Sequence, residues 1–181
     1  MIFTETKLKG CFVLEPTVHG DDRGYFFESF NQQIFENGIG SKVDFVQDNQ
    51  SFSKFGTLRG LHFQKGDSAQ AKLVRVLSGE VLDVAVDIRP ESATFGEHVS
   101  VKLTAENKKQ LFVPRGFAHG FVVLSEEAEF FYKCDNLYNK SAEGGIIYND
   151  AELNIDWIVP STKLILSEKD RELSQIKDLN D

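Results

Sequence analysis

The chain has 181 residues, 41% apolar and 27% charged, which is enough for one sizeable core and too short to require two domains. Twenty Lys and Arg against 28 Asp and Glu leave a net charge of -8, which argues against a nucleic-acid backbone binder while allowing a small anionic ligand held by local cations. No stretch approaches about 18 uninterrupted apolar residues, and the opening MIFTETKLKG has no apolar signal core, so a cytoplasmic protein with no membrane partner is expected.

In chain order, GCFVLEP (10–16) and GYFFESF (24–30) are short apolar runs bounded by turn formers. NQQIFENG (31–38) carries the main helical signal, with a second short helical piece expected near the C-terminus. GTLRGLHFQ (56–64) alternates like a strand. Simple alternation sets His62 beside Gly60 and Gln64 and points Arg59, Leu61 and Phe63 the other way. AKLVRVL-SG-EVLDVAVDI (71–88) reads as the clearest hairpin, with Ser-Gly at its turn. Its first strand would place Gln70, Lys72, Val74 and Val76 on one face; its second would place Val81, Asp83, Ala85 and Asp87 on one and Leu82, Val84, Val86 and Ile88 on the other. Lys72 and Asp83 then either line a barrel interior or form an exposed ion pair. EHVSVKLT (97–104), KQLFVPRGFAHGFVVL (109–124) and EAEFFYKCDNLY (127–138) complete the series, and many short strands between turn signals predict an all-β barrel or sandwich in a single domain, 1–181.

Cys11 and Cys134 lie far apart in sequence and form no metal or redox motif, though a disulfide between them remains open. His62 and His119 both sit in extended apolar surroundings, whereas His19 and His98 have no ligand spacing. Two histidines fall short of the three ligands of catalytic zinc and lack the carboxylate of a non-haem iron triad, so no metal is expected.

DDRGYFFESF (21–30), QDNQSFSKFGTLRGLHFQ (47–64), AKLVRVLSGEVLDVAVDIRPESATFG (71–96), VPRGFAHGF (113–121), YKCDNLYNKSAEGGIIYND (132–150) and SEKD (167–170) together closely resemble the dTDP-4-dehydrorhamnose 3,5-epimerase family. The resemblance implies a cupin-type double-stranded β-helix, or jelly roll, with short peripheral helices, no cofactor, and a homodimer whose N-terminal segments are exchanged. It implies inversion at C3 and C5 of a dTDP-4-keto-6-deoxy sugar through enolates. His62 would be the base, Asp170 its carboxylate partner, Tyr132 the opposite-face acid and Lys72 the group beside the enolate oxygen. Substrate binding would fall to Arg23, Phe26, Glu28, Gln47, Asn49, Arg59, His119 and Tyr138, with Asp83 supporting Lys72 or His119. Ala93 and Tyr148 stand where the family more often has Pro and Trp. A single-centre epimerase, a non-catalytic sugar-nucleotide binder and a metal-dependent cupin oxygenase are the alternatives.

Overall fold

The structure, a computed structural model, describes residues 1–180, so Asp181, the last position of the expected domain, lies outside the described residues. Thirteen strands follow the short alternating runs: β1 (Ile2–Glu5), β2 (Phe12–Glu15), β3 (His19–Asp21), β4 (Gly24–Phe26), β5 (Gln47–Lys54), β6 (Leu58–Gln64) and β7 (Lys72–Ser78), then β8 (Glu80–Asp87), β9 (His98–Thr104), β10 (Gln110–Val113), β11 (Phe117–Val123), β12 (Glu127–Cys134) and β13 (Glu143–Gly145). They form a six-stranded sheet ordered β1-β2-β10-β7-β12-β5, a five-stranded sheet ordered β13-β6-β11-β8-β9, and the separate β3-β4 hairpin. The strand pairs are antiparallel.

Side-chain alternation places one core between the sheets: Val74, Val76, Leu111, Val113 and Phe130 from the first meet Val81, Ala85, Leu103, Phe117, Phe121 and Val123 from the second. The outer face of the five-stranded sheet is also covered. Leu58, Leu61, Leu82, Val84, Val86, Ala118 and Val122 pack under Ile146, Leu153, Trp157, Val159 and Ile176 of the C-terminal segment. This double coverage explains why β8 has apolar residues on both faces.

The expected helix at 31–38 is α1 (Gln32–Ile39), begun by the Asn31 side chain accepting from the Ile34 N–H and ended by Gly40 at φ 72°. Its buried Phe35 meets Phe112 at 5.1 Å between ring centroids, closing the outer face of the six-stranded sheet. A second helix, α2 (Glu168–Arg171), matches the expected C-terminal piece.

Residues 71–88 depart from the hairpin expected there. β7 pairs with β10 and β12, whereas β8 pairs with β9 and β11, so Ser78-Gly79 is a corner between sheets. Both hydrogen-bonding edges of β7 are already occupied, and local turn chemistry could not reveal that. Gly79 suits the corner because it holds φ 79°, and an added Cβ would lie 2.1 Å from the Glu127 carbonyl oxygen.

The face assignment in β6 is also corrected. His62 opposes His119 and Arg59 opposes Phe121, so β6 advances three residues where β11 advances two. The extra residue is a β-bulge at Gly60-Leu61, which returns Arg59 to the inner side with His62 while Leu58, Leu61 and Phe63 face the outer core. The strands are close here: a Cβ on Gly60 would lie 2.6 Å from Gly120 Cα, and one on Gly120 would lie 2.7 Å from the Arg59 oxygen.

Candidate active site

His62 projects from β6 into the space between the sheets, and its Nε2 lies 2.5 Å from Asp170 Oδ1. Asp170 arrives from 108 residues away because the C-terminal segment is strapped to the five-stranded sheet. Leu58 N donates to the Ile165 oxygen at 2.9 Å, Ile165 N to the Gly56 oxygen at 2.8 Å, and Ile147 N to the Ser174 oxygen at 2.8 Å. Between those ties Ser167 caps α2. Its Oγ accepts from the Asp170 N–H at 3.1 Å and donates to Asp170 Oδ2 at 2.8 Å. Asp170 is only 4% exposed. Burial pushes its carboxyl upward, but the hydrogen bonds from His62 and Ser167 outweigh it and hold the group below the ordinary carboxylate range.

Lys72 and Tyr132 face this pair from the opposite sheet, on β7 and β12. Lys72 Nζ is 6.0 Å from the Tyr132 ring centroid. Burial lowers the Lys72 pKa, opposed by the neighbouring Cys134 and Asp83, while burial raises that of Tyr132 and keeps its phenol protonated. A cavity of about 300 Å³ is lined by Arg59, His62, Lys72, His119, Tyr132 and Asp170. A second, of about 270 Å³, shares His62, Lys72 and Tyr132 and continues to Gln47, Asn49 and Tyr138. The His62, Lys72 and Tyr132 side chains therefore stand where the two cavities meet.

The other expected residues divide into those near this junction and those distant from it. Arg59 is exposed at the first cavity, its Nε donating to Ser53 Oγ at 3.1 Å. Gln47 donates to Asn49 Oδ1 at 3.1 Å, and Asn49 reaches Cys134 Sγ at 3.7 Å. His119 holds Asp83 through Nε2 at 2.9 and 3.0 Å, so Asp83 is the direct partner of His119 rather than of Lys72. Arg23, Phe26 and Glu28 do not reach the junction within one chain. Arg23 pairs locally with Asp21 at 2.5 Å, Phe26 is 71% exposed, and Glu28 accepts from Asn31 at 3.2 Å.

Several residues at the site carried no assignment from sequence. Lys169 lines the first cavity and pairs with Glu143, which also accepts from the Tyr138 hydroxyl at 3.2 Å. The Ser-x-x-Asp spacing of a helix cap is the signal that could have found Ser167, whereas Glu143 has no signal beyond its place in the 132–150 segment. Cys11 and Cys134 are both free and buried, with burial pushing their thiols up to about 12 and about 11, respectively. His62 and His119 are cross-strand neighbours, but each is engaged by its own aspartate, and among the described residues no three His, Cys, Asp or Glu are grouped to hold a metal.

The family model for dTDP-4-dehydrorhamnose 3,5-epimerase matches residues 5–178. The dTDP-4-dehydrorhamnose 3,5-epimerase of Salmonella typhimurium is 61% identical over 157 residues, spanning 87% of this chain and 86% of the relative. The crystal structure of the epimerase from Elizabethkingia anophelis superposes with a TM-score of 0.95 at 56% identity, covering 99% of this chain and 98% of that one. A Legionella pneumophila relative, solved in complex with dTDP-4-keto-L-rhamnose, superposes with a TM-score of 0.93 at 47% identity, covering 97% of this chain and 92% of that one. With nearly its whole length matched in both sequence and structure, the chain belongs to the dTDP-4-dehydrorhamnose 3,5-epimerase family.

Proposed function

We propose that this chain converts dTDP-4-dehydro-6-deoxy-D-glucose to dTDP-4-dehydro-L-rhamnose by inverting C3 and C5 through enolates. The observation that carries this reading is that His62 on one sheet faces Lys72 and Tyr132 on the other at the junction of two cavities. Inversion beside a ketone needs a base on one face of the sugar, charge stabilisation at the ketone oxygen and an acid on the other face. His62 removes the proton, and Asp170 fixes its ring and supports the imidazolium. Lys72 stabilises the enolate oxygen. Tyr132, kept protonated by burial, delivers a proton from the opposite side. The same cycle serves each centre because both carbons flank the C4 ketone. Protons leave and return without net oxidation, so no redox cofactor enters the balance.

Arg59 holds the diphosphate, as a guanidinium suits paired phosphate oxygens. Gln47, Asn49 and His119 shape the sugar-nucleotide cleft, Asp83 orients His119, and Tyr138 forms one side of a platform for thymine. Arg23, Phe26 and Glu28 serve a second subunit's cleft, consistent with their exposure on or next to the β3-β4 hairpin. The two facing antiparallel sheets support a cupin-type jelly roll, which works as one domain and assembles as a homodimer. A cytoplasmic setting suits two free thiols, and no described helix is long and apolar enough to cross a membrane.

Incubation with dTDP-4-dehydro-6-deoxy-D-glucose in deuterium oxide tests the reaction. NMR should find solvent deuterium at both C3 and C5, with both centres inverted after trapping by a stereospecific reductase. Inversion at one carbon alone would reduce the assignment to a single-centre epimerase, and absence of exchange at both would reject the enolate reaction.

A further inference from the structure

Gln64 ends β6 and is only 9% exposed, yet the chemistry above gives it nothing to do. Its Oε1 accepts the Asn139 main-chain N–H at 2.9 Å. One residue earlier, the Tyr138 main-chain N–H donates to Gln47 Oε1 at 3.2 Å. Gln47 begins β5 in the six-stranded sheet, while Gln64 belongs to the five-stranded sheet, so consecutive amides of one loop are held from opposite walls of the cleft. Both glutamines must present oxygen here, because a main-chain N–H can only donate. The loop has further ties: Gln70 donates to the Asn136 oxygen at 2.8 Å, and Asn139 Nδ2 donates to Ser68 Oγ at 3.1 Å. The ring these contacts fix is half exposed at the second cavity, with its hydroxyl turned to Glu143.

We infer that Gln64 is a positioning residue for nucleotide binding, clamping the 138–139 backbone so that the Tyr138 ring is already set in place before the base arrives. This inference rests on the reading of Tyr138 as a base platform. An aromatic ring on a loose loop must be ordered at each binding event, whereas a ring fixed by two main-chain contacts binds without that entropy loss. Gln64 therefore acts on ground-state affinity and not on proton transfer. The division of labour is testable because the same strand carries His62, two residues away, on the proton-transfer side.

The experiment measures dTDP affinity by calorimetry and steady-state turnover for the wild type, Gln64→Met, Tyr138→Ala and the double variant. Methionine preserves length and burial but removes the carbonyl acceptor. Gln64→Met should weaken dTDP binding about tenfold and raise KM in parallel, while kcat stays within about twofold, which also reports an intact fold. In the Tyr138→Ala background the same change should have no further effect on dTDP affinity, because the ring it positions is gone. An unchanged affinity in Gln64→Met, a fall in kcat comparable to the rise in KM, or a full additional loss in the double variant would overturn the inference. If Tyr138→Ala alone leaves dTDP affinity unchanged, the platform reading itself fails and the inference falls with it, an outcome distinct from failure of the clamp alone.

Discussion

The cleft around His62 and the hairpin at 19–26 present polar and aromatic side chains in opposite physical settings. His62, Lys72 and Tyr132 stand on strands paired along both edges, and Asp170 is anchored by a cap and by straps to the sheet beneath it. Arg23, Tyr25 and Phe26 stand on a two-stranded hairpin, exposed, with Arg23 paired to its neighbour Asp21 and the Tyr25 hydroxyl accepting from Lys108 between β9 and β10. Such a hairpin is marginal on its own and gains by packing elsewhere. The contrast teaches that a single chain holds His62, Lys72, Tyr132 and Asp170 in a preorganised cleft, while its aromatic and cationic arm stays exposed outside that cleft.

The largest expected effect isolates the rigid region. His62→Asn should lower turnover by about a thousandfold while leaving dTDP affinity within about twofold, because the base is lost but the phosphate and base contacts remain. Turnover near that of the wild type in a folded variant would remove His62 from its role, and a parallel loss of dTDP binding would merge the two regions that are separated here.

A smaller effect is expected from the arm. Arg23→Ala combined with Phe26→Ala should weaken dTDP binding about tenfold in the assembled protein. With substrate held well below KM, mixing this variant with His62→Asn after subunit exchange should restore activity above the mean of the parents, toward about a quarter of wild type, since each mixed dimer regains one intact cleft. If the mixture only averages its parents, the arm serves its own chain and the comparison fails.

The smallest effect concerns stability. The Asp170 carboxyl is held below its ordinary pKa in the folded state, so its contribution is present above the unfolded value of about 3.9 and is lost as pH falls through the folded value. The stability gap between wild type and Asp170→Asn, measured by denaturant titration, should therefore narrow as pH drops from about 6 toward 3. A gap that widens on acidification would contradict the sign of the shift.

Much of this arrangement was legible in sequence. The short strands, α1 and α2 followed from periodicity and turn residues, which left Lys72 and Asp83 open between a barrel interior and an exposed ion pair, and the family motifs pointed to His62 with Asp170. What escaped depended on partners distant in the chain. Ser78-Gly79 has hairpin chemistry, yet β7 and β8 diverge because other strands occupy their edges. Arg59 and His62 share a side only because β11 sets a register that forces a bulge at Gly60-Leu61. Gln64 gains its meaning from the Asn139 loop, and Glu143 and Lys169 from their pairing across β13 and α2, contacts that no local pattern reveals.

The central claim is that two groups on opposite sheets handle the proton from opposite faces of the sugar, and Tyr132→Phe in deuterium oxide tests it most directly. With the base intact and the acid removed, the variant should still exchange the hydrogens beside the ketone, returning deuterium on the original face, while inversion slows about a hundredfold or more. Retained exchange with lost inversion, read by NMR isotope content and product configuration, is the predicted result. Inversion at the wild-type rate, or loss of exchange together with inversion in a variant that still binds dTDP, would contradict the two-faced account.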